Sequence, residues 1–263
     1  MSTFWRFRSY LPDSRPEELR RALFEGSLYA PRPIDFNDPY DCLPTFVFSE
    51  VPVSEQLQRV ERLIQRAGIR PPLDDVLRGQ ASAGYLNLPE HHERIRDQYL
   101  DQIRNTPILS FFPSADCPAM WAYYGDSGYG YVLGVDFASP LPDGKYPLPV
   151  EYVERRPCVD LVYDHFGSPE GRQALLSDCF LRKHEIWRQE AEQRLILSEY
   201  DYGYTPLGQR RISDLCLGWK ASDGLIEEAR KLASERRYPL RLMQAVRQEN
   251  DYGLRLEPLD ATN

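Results

Sequence analysis

Two glutamates and an arginine alternate with other residues in a short stretch of the chain. Glu190, Glu192 and Arg194 lie two positions apart, immediately before an apolar run. On a β-strand that begins near Glu190, side chains two positions apart share a face, so both carboxylates and the guanidinium would lie together. Two carboxylates held this close raise the proton affinity of one of them unless a cation is nearby, and Arg194 is the local cation. The pattern fits either acid chemistry or a structural row of ion pairs.

Charged and aromatic residues precede this stretch. Residues 183–189 include Lys183 and Trp187. We interpret them as a helix that leads into a buried strand, with Trp187 in the core beside the charged row.

The N-terminal residues are expected to form a strand that carries basic side chains. Aromatic and basic residues alternate over residues 4–10, which is the period of a strand with one packed and one polar face. Arg6 and Arg8 would share the polar face. Ser14 and Glu17 then form a capping box for a short amphipathic helix that ends near Gly26.

A turn-rich loop follows at residues 32–41. It contains Asn37, Asp38 and Asp41 among prolines and aromatics. Short acidic and amide side chains bond to their own backbone in such loops, so we interpret this segment as a structural turn.

The middle of the chain predicts helices and then a compact strand. Helical spacing of apolar residues over 54–67 and 89–105 indicates a helical insertion at about residues 50–105. Residues 107–112 are an apolar run of strand length, in which Ser110 is the only small hydroxyl. In the short helix that follows, Trp121 and Tyr124 are three positions apart and face the same way.

These elements together predict the fold class. We expect one α+β domain over residues 1–263, with a mixed, mostly antiparallel sheet core, flanking helices and the helical insertion. No internal repeat or long linker divides the chain.

Composition limits the partners and the location. The chain has 263 residues and a formal net charge of -8, which argues against a broad nucleic-acid surface. No apolar stretch approaches the roughly 20 residues that span a bilayer, and the N-terminus lacks a signal-peptide core, so we expect a cytoplasmic protein without a membrane partner. The five cysteines are scattered and no histidine has zinc-ligand spacing, so we expect reduced thiols and no metal.

Four motifs in order resemble a known bacterial family. They are Trp5-Arg6-Phe7-Arg8, residues 36–41, Met120-Trp121-Ala122-Tyr123-Tyr124, and Lys183 with Trp187 and the Glu-x-Glu-x-Arg stretch. Together they resemble the bacterial domain-of-unknown-function family 2971 over nearly the whole chain. The sequence departs from that family at Tyr123, where a histidine is common. Proteins of this kind are in keeping with a prophage or phage-defence role.

The order of polar residues is also similar to the Arg-Ser-Glu class of ADP-ribosyltransferases, which cleave the nicotinamide-ribose bond of NAD. The resemblance implies that Glu192 stabilises the oxocarbenium-like transition state and that Glu190 positions or deprotonates the acceptor. It implies that Arg8 holds the pyrophosphate or ribose, that Ser110 orients Glu192, and that Trp121 or Tyr124 stacks on nicotinamide. NAD would be the substrate and the acceptor is unknown.

Two other interpretations stay open at this point. In the first, the protein is a non-catalytic module that binds a ligand or a partner chain, and Arg8, Glu190, Glu192 and Arg194 form a structural salt-bridge network. In the second, Asp38, Asp41 and the glutamates hold magnesium for hydrolysis of a nucleotide or nucleic acid.

Overall fold

The structure is a computed structural model that describes residues 3–11, 13, 17–161, 169–197 and 203–259. The fold is α+β with a mostly antiparallel five-stranded sheet, as the sequence predicts. The chain forms two compact units: the first contains Met1–Asp35, Thr106–Val150 and Ile186–Asn263, and the second contains Phe36–Asn105 and Glu151–Glu185. A single domain over residues 1–263 stays a prediction, and Ser14, the predicted capping residue, lies outside the described residues.

The first unit is built on the five-stranded sheet. Its strands, in spatial order, are β1 (Thr3–Arg8), β5 (Tyr131–Asp136), β12 (Ile212–Leu217), β13 (Arg241–Arg247) and β14 (Leu254–Pro258). Neighbours pair antiparallel except β12 with β13, which pair parallel. The unit also contains β2 (Ser27–Ala30), β4 (Ile108–Phe111), β6 (Leu148–Pro149), β10 (Gln193–Ile196), β11 (Gly203–Pro206) and helices α1 (Glu18–Glu25), α5 (Pro118–Tyr124) and α7 (Asp223–Glu235).

Apolar residues cover both faces of this sheet. On one face, α1 and α7 pack Leu23 and Leu225 against sheet residues that include Leu133. On the other face, Trp121 of α5 packs with Phe7 and other buried residues. Alternate residues of each strand therefore enter different cores, which is the period-2 pattern that the sequence shows for β1.

Two smaller sheets complete the first unit. Strand β10 lies between β4 and β6, and β11 pairs with β2. In the antiparallel pair of β10 and β4, Arg194 stands opposite Ser110. The sheet thus brings the end of the Glu-x-Glu-x-Arg stretch to the serine-bearing strand.

The second unit is mainly helical, and it contains the predicted insertion. Its helices are α2 (Val53–Ala67), α3 (Leu73–Ser82), α4 (Pro89–Asn105) and α6 (Pro169–Phe180). Its strands β3 (Thr45–Val47) and β8 (Cys158–Asp160) pair parallel, as do β7 (Glu151–Val153) and β9 (Arg182–His184). The sequence did not predict α3, because Pro71 and Pro72 directly before it are typical of a break between helices. No helix in the described part of the chain is both long and apolar enough to cross a membrane.

Candidate functional site

The acidic stretch of the first unit is not one continuous strand. Residues Glu185–Glu190 form 3-10 turns, and β10 begins only at Gln193. Between them, Ala191 has a φ of 45°, in the left-handed region that residues with a side chain rarely adopt. The prediction of a strand that starts near Glu190 is therefore wrong, because this turn separates Glu190 from the strand. Glu192 and Arg194, two positions apart, still contact each other as the spacing predicts.

Glu192 and Arg194 form a fully buried, two-pronged ion pair. The Arg194 Nε donates to Glu192 Oε1 at 2.9 Å, and a terminal nitrogen of Arg194 donates to Glu192 Oε2 at 2.9 Å. The Arg194 side chain is 0% exposed and the Glu192 side chain is 3% exposed. Such fork-shaped pairing fixes the carboxylate in one orientation, so Glu192 is held rigidly in a dry environment.

Glu190 has a different contact, with an aromatic hydroxyl. The Tyr124 hydroxyl donates to Glu190 Oε1 at 2.6 Å. Glu190 is 1% exposed, whereas Tyr124 is half-buried and packs its ring against Phe112. The helix α5 thus positions Glu190 through Tyr124. The Tyr124 hydroxyl, not its ring face, makes this contact, and the stacking of Tyr124 on nicotinamide stays a prediction.

The first-strand arginine nearest to this region is Arg6. One terminal nitrogen of Arg6 donates to the Ser110 carbonyl at 2.9 Å and the other to the Tyr29 carbonyl at 2.7 Å. Burial, together with the charge of Arg8, lowers the pKa of Arg6 to about 9, against the opposing effects of Glu18, Tyr131 and Glu192. The sequence placed Arg6 and Arg8 on one face but singled out Arg8, because periodicity does not show which of the two reaches β4.

Arg8 pairs with a residue that the sequence did not single out. Its Nε donates to Glu18 Oε1, and its guanidinium lies 5.8 Å from the Tyr29 ring centre. Burial lowers the pKa of Arg8, but the bond to Glu18 more than offsets it, so the pKa is raised overall. The backbone of Gly130 lies close to the Arg8 carbonyl oxygen. Only glycine fits at this position, because a Cβ there would lie 2.1 Å from that oxygen.

Arg6, Arg8 and Glu18 border a small hollow. Ser27, Tyr29 and Tyr131 are among the residues that also line it. Pockets for drug-sized ligands measure about 300–1,000 Å³. The cavity volume open to a water-sized molecule is about 0 Å³, so the hollow as it stands in this structure has no room for a dinucleotide or for part of one.

The aromatic residues of the predicted site lie in different environments. Trp121 is 0% exposed, and its indole N–H donates to the Ala115 carbonyl at 2.7 Å. Packed in the core against Phe7, it has no free face for a nicotinamide ring. Trp187 is half-buried and contacts Tyr123, which is 52% exposed, with ring centres 5.8 Å apart.

The predicted loop residues Asn37, Asp38 and Asp41 belong to the second unit. Asn37 is exposed, and Asp38 accepts a hydrogen bond from the Tyr40 N–H at 2.9 Å, as expected of a structural turn. Asp41 lies 3.6 Å from the Lys183 ammonium, and both side chains are 3% exposed. Among the described residues, no group of three His, Cys, Asp or Glu side chains is placed to hold a metal ion.

Comparisons with known proteins identify no relative: no family model, no curated protein and no solved structure matches this chain. The resemblances to family 2971 and to the Arg-Ser-Glu transferases stay predictions.

Proposed function

We propose that this protein is an ADP-ribosyltransferase-like enzyme that cleaves the nicotinamide-ribose bond of NAD and transfers ADP-ribose to an acceptor. One observation carries the proposal. An arginine of the first strand bonds to the backbone of Ser110, and Ser110 stands opposite Arg194, which holds Glu192. The arginine, serine and glutamate that the Arg-Ser-Glu order requires therefore come together in one unit, with Arg6 in the place expected of Arg8.

The chemistry of this reaction suits a rigid, buried carboxylate. Breaking the nicotinamide-ribose bond develops positive charge on the ribose, and a preorganised negative group in a dry site stabilises that charge more than it stabilises the substrate. Glu192 is held in place by Arg194, and Glu190 by Tyr124. We assign Glu192 to transition-state stabilisation. We assign Glu190 to the acceptor: its carboxylate takes the acceptor's proton as the acceptor–ribose bond forms and nicotinamide leaves.

The arginines supply the affinity for a nucleotide. Arg6 and Arg8 are both largely buried at the border of the small hollow, where Arg8 binds Glu18 and the charge of Glu18 also acts on Arg6. Two guanidinium groups with one carboxylate leave positive charge that attracts a phosphate group, and the hollow has to open to admit it. The partners in this proposal are a small-molecule nucleotide and an unidentified acceptor in the cytoplasm.

A second candidate is favoured by the same ion pair. Glu192 makes two well-formed bonds to Arg194 with both side chains buried, which is how a structural network is built. In that case the protein is a non-catalytic module that binds a ligand or a partner chain. It would leave NAD intact.

A nicotinamide-release assay separates the two candidates. Purified protein is incubated with NAD, and Glu192→Gln is compared with the control Glu227→Gln, which changes an exposed glutamate of α7. If the protein is the enzyme, we expect the wild-type protein and the control to release nicotinamide. We expect the rate of release to fall at least about 100-fold in Glu192→Gln. Intact NAD after prolonged incubation with folded wild-type protein, with and without candidate acceptors, would favour the binding module.

A further inference from the structure

The strand β14 is an edge of the five-stranded sheet. Within the described residues its only paired neighbour is β13. The Leu259 N–H donates to the Leu242 carbonyl, and the Gln248 N–H donates to the Gly253 carbonyl. Because bonded and non-bonded pairs alternate along an antiparallel ladder, Arg255 and Glu257 bond to β13, and the backbone groups of Leu254 and Leu256 point away from the sheet.

The two faces of this edge strand differ in chemistry. Arg255 and Glu257 lie on one face with side chains 60% and 48% exposed, and they form an ion pair at 3.0 Å. Leu254 and Leu256 lie on the other face, where they join the apolar cluster around Trp121. A strand added here would meet charges on one face and leucines on the other.

The charge order is self-complementary in one register only. Two antiparallel copies of β14 can pair their outward backbone groups with the two-fold axis at Arg255, Leu256 or Glu257, so that the residue at the axis stands opposite its own copy. Alignment about Arg255 places two arginines opposite each other, and alignment about Glu257 does the same with two glutamates. Alignment about Leu256 places each Arg255 opposite a Glu257, and only this register pairs opposite charges.

We infer that β14 is the interface of a homodimer in which two copies pair antiparallel about Leu256 and join their sheets. Each Leu256 exchanges both backbone hydrogen bonds with the Leu256 of the second copy. Each Leu254 N–H donates to the Pro258 carbonyl of the second copy, so the missing N–H of Pro258 removes one bond at each end without blocking the pair. The interface is isologous, as two-fold symmetry requires.

The same residues make other pairings unfavourable. Exposed charges and a proline on an edge strand discourage pairing with another strand unless its charges are complementary. Here they also exclude the two neighbouring registers of the dimer. Among the alignments of two copies compared above, the charges therefore favour the one about Leu256.

Sedimentation velocity over a concentration series tests this inference with charge variants. The wild-type protein is expected to dimerise. Arg255→Glu and Glu257→Arg each place like charges opposite each other twice per dimer, so each is expected to raise the dissociation constant about tenfold or more. The double variant Arg255→Glu/Glu257→Arg exchanges the two charges and is expected to restore the dimer.

Hydrogen exchange locates the interface independently. The amides of Leu254 and Leu256 are expected to exchange more slowly as the wild-type protein concentration rises, and circular dichroism confirms that each variant is folded. A monomeric wild-type protein at every concentration would overturn the inference. So would a dimer that both single variants leave unchanged, or single variants that the double exchange fails to rescue.

Discussion

Two charged clusters of the first unit have opposite compositions. The cluster on the first strand contains two guanidinium groups, Arg6 and Arg8, and one carboxylate, Glu18. The acidic stretch contains two carboxylates, Glu190 and Glu192, and one guanidinium, Arg194. One cluster therefore has an excess of positive charge and the other an excess of negative charge.

The comparison shows that neither cluster is balanced by its own members. Burying a charge is costly unless an opposite charge or several hydrogen bonds compensate it. Arg6 relates the two clusters, because its pKa is lowered by burial and Arg8 but raised by Glu18 and Glu192. The bond from Arg6 to the Ser110 carbonyl fixes Arg6 beside β4, where Ser110 stands opposite Arg194. A dry region with fixed charges of both signs is the environment that electrostatic catalysis uses.

The largest effect is expected where a pair is fully buried. Arg194→Met removes the guanidinium that holds Glu192 and leaves a carboxylate that is 3% exposed. We expect the free energy of unfolding in urea to fall by about 3–5 kcal/mol. The matched control is Arg255→Met, which breaks a pair of the same spacing on an exposed strand and is expected to cost less than about 1 kcal/mol at monomer-forming dilution. Equal losses in the two variants would contradict the account.

A smaller effect is expected in the basic cluster. Glu18→Gln removes the carboxylate that Arg8 binds. The Arg8 side chain is 16% exposed and the Glu18 side chain is 9% exposed. We expect a loss of about 1.5–3 kcal/mol in the same unfolding measurement, because a charged hydrogen bond is lost beside two cations. The neighbouring variant Glu17→Gln changes a side chain that is 61% exposed and should be nearly neutral. A neutral Glu18→Gln would show that the cluster does not need its carboxylate.

The contact of Glu190 with Tyr124 is expected to contribute less. Tyr124→Phe removes one hydrogen bond to the carboxylate and should cost about 1 kcal/mol, since Glu190 has further interactions. Tyr123→Phe is the control, because the Tyr123 ring is 52% exposed. Under the proposed function, Tyr124→Phe also lowers nicotinamide release per folded molecule. An unchanged rate would restrict Tyr124 to a structural role.

The smallest effect is a dependence of stability on alkaline pH. The pKa of Arg6 is lowered to about 9, so above that pH the folded protein loses a proton that the unfolded chain keeps, and Arg6 makes stability rise with pH. Burial raises the pKa of Cys216 to about 12, so the unfolded chain loses that proton first and Cys216 makes stability fall. Between pH 9 and 10, Arg6→Met should therefore make the slope of unfolding free energy against pH more negative, and Cys216→Val more positive. Shifts of the same sign in both variants would contradict these pKa directions.

Local patterns in the sequence predicted much of the fold. Alternation identified β1, and apolar spacing identified α2 and α4. These features depend on neighbours in the chain, and the sequence shows them directly.

The site was predicted less well because it depends on contacts between distant residues. The spacing of Trp121 and Tyr124 indicated a shared side of α5, but not that Trp121 enters the core while Tyr124 reaches Glu190. Alternation could not choose Arg6 over Arg8, since the choice depends on which strand passes beside each one. The left-handed backbone of Ala191 has no signal in its residue type, so the late start of β10 was also missed.

The most direct test of the central claim is the rate of nicotinamide release per folded molecule in Glu192→Gln. This variant keeps the shape of the side chain and removes its charge. The account predicts that the rate falls far more than the folded fraction does, because the charge acts in the reaction as well as in the fold. A wild-type protein that releases no nicotinamide, or a variant whose rate falls only in proportion to its folded fraction, would contradict it.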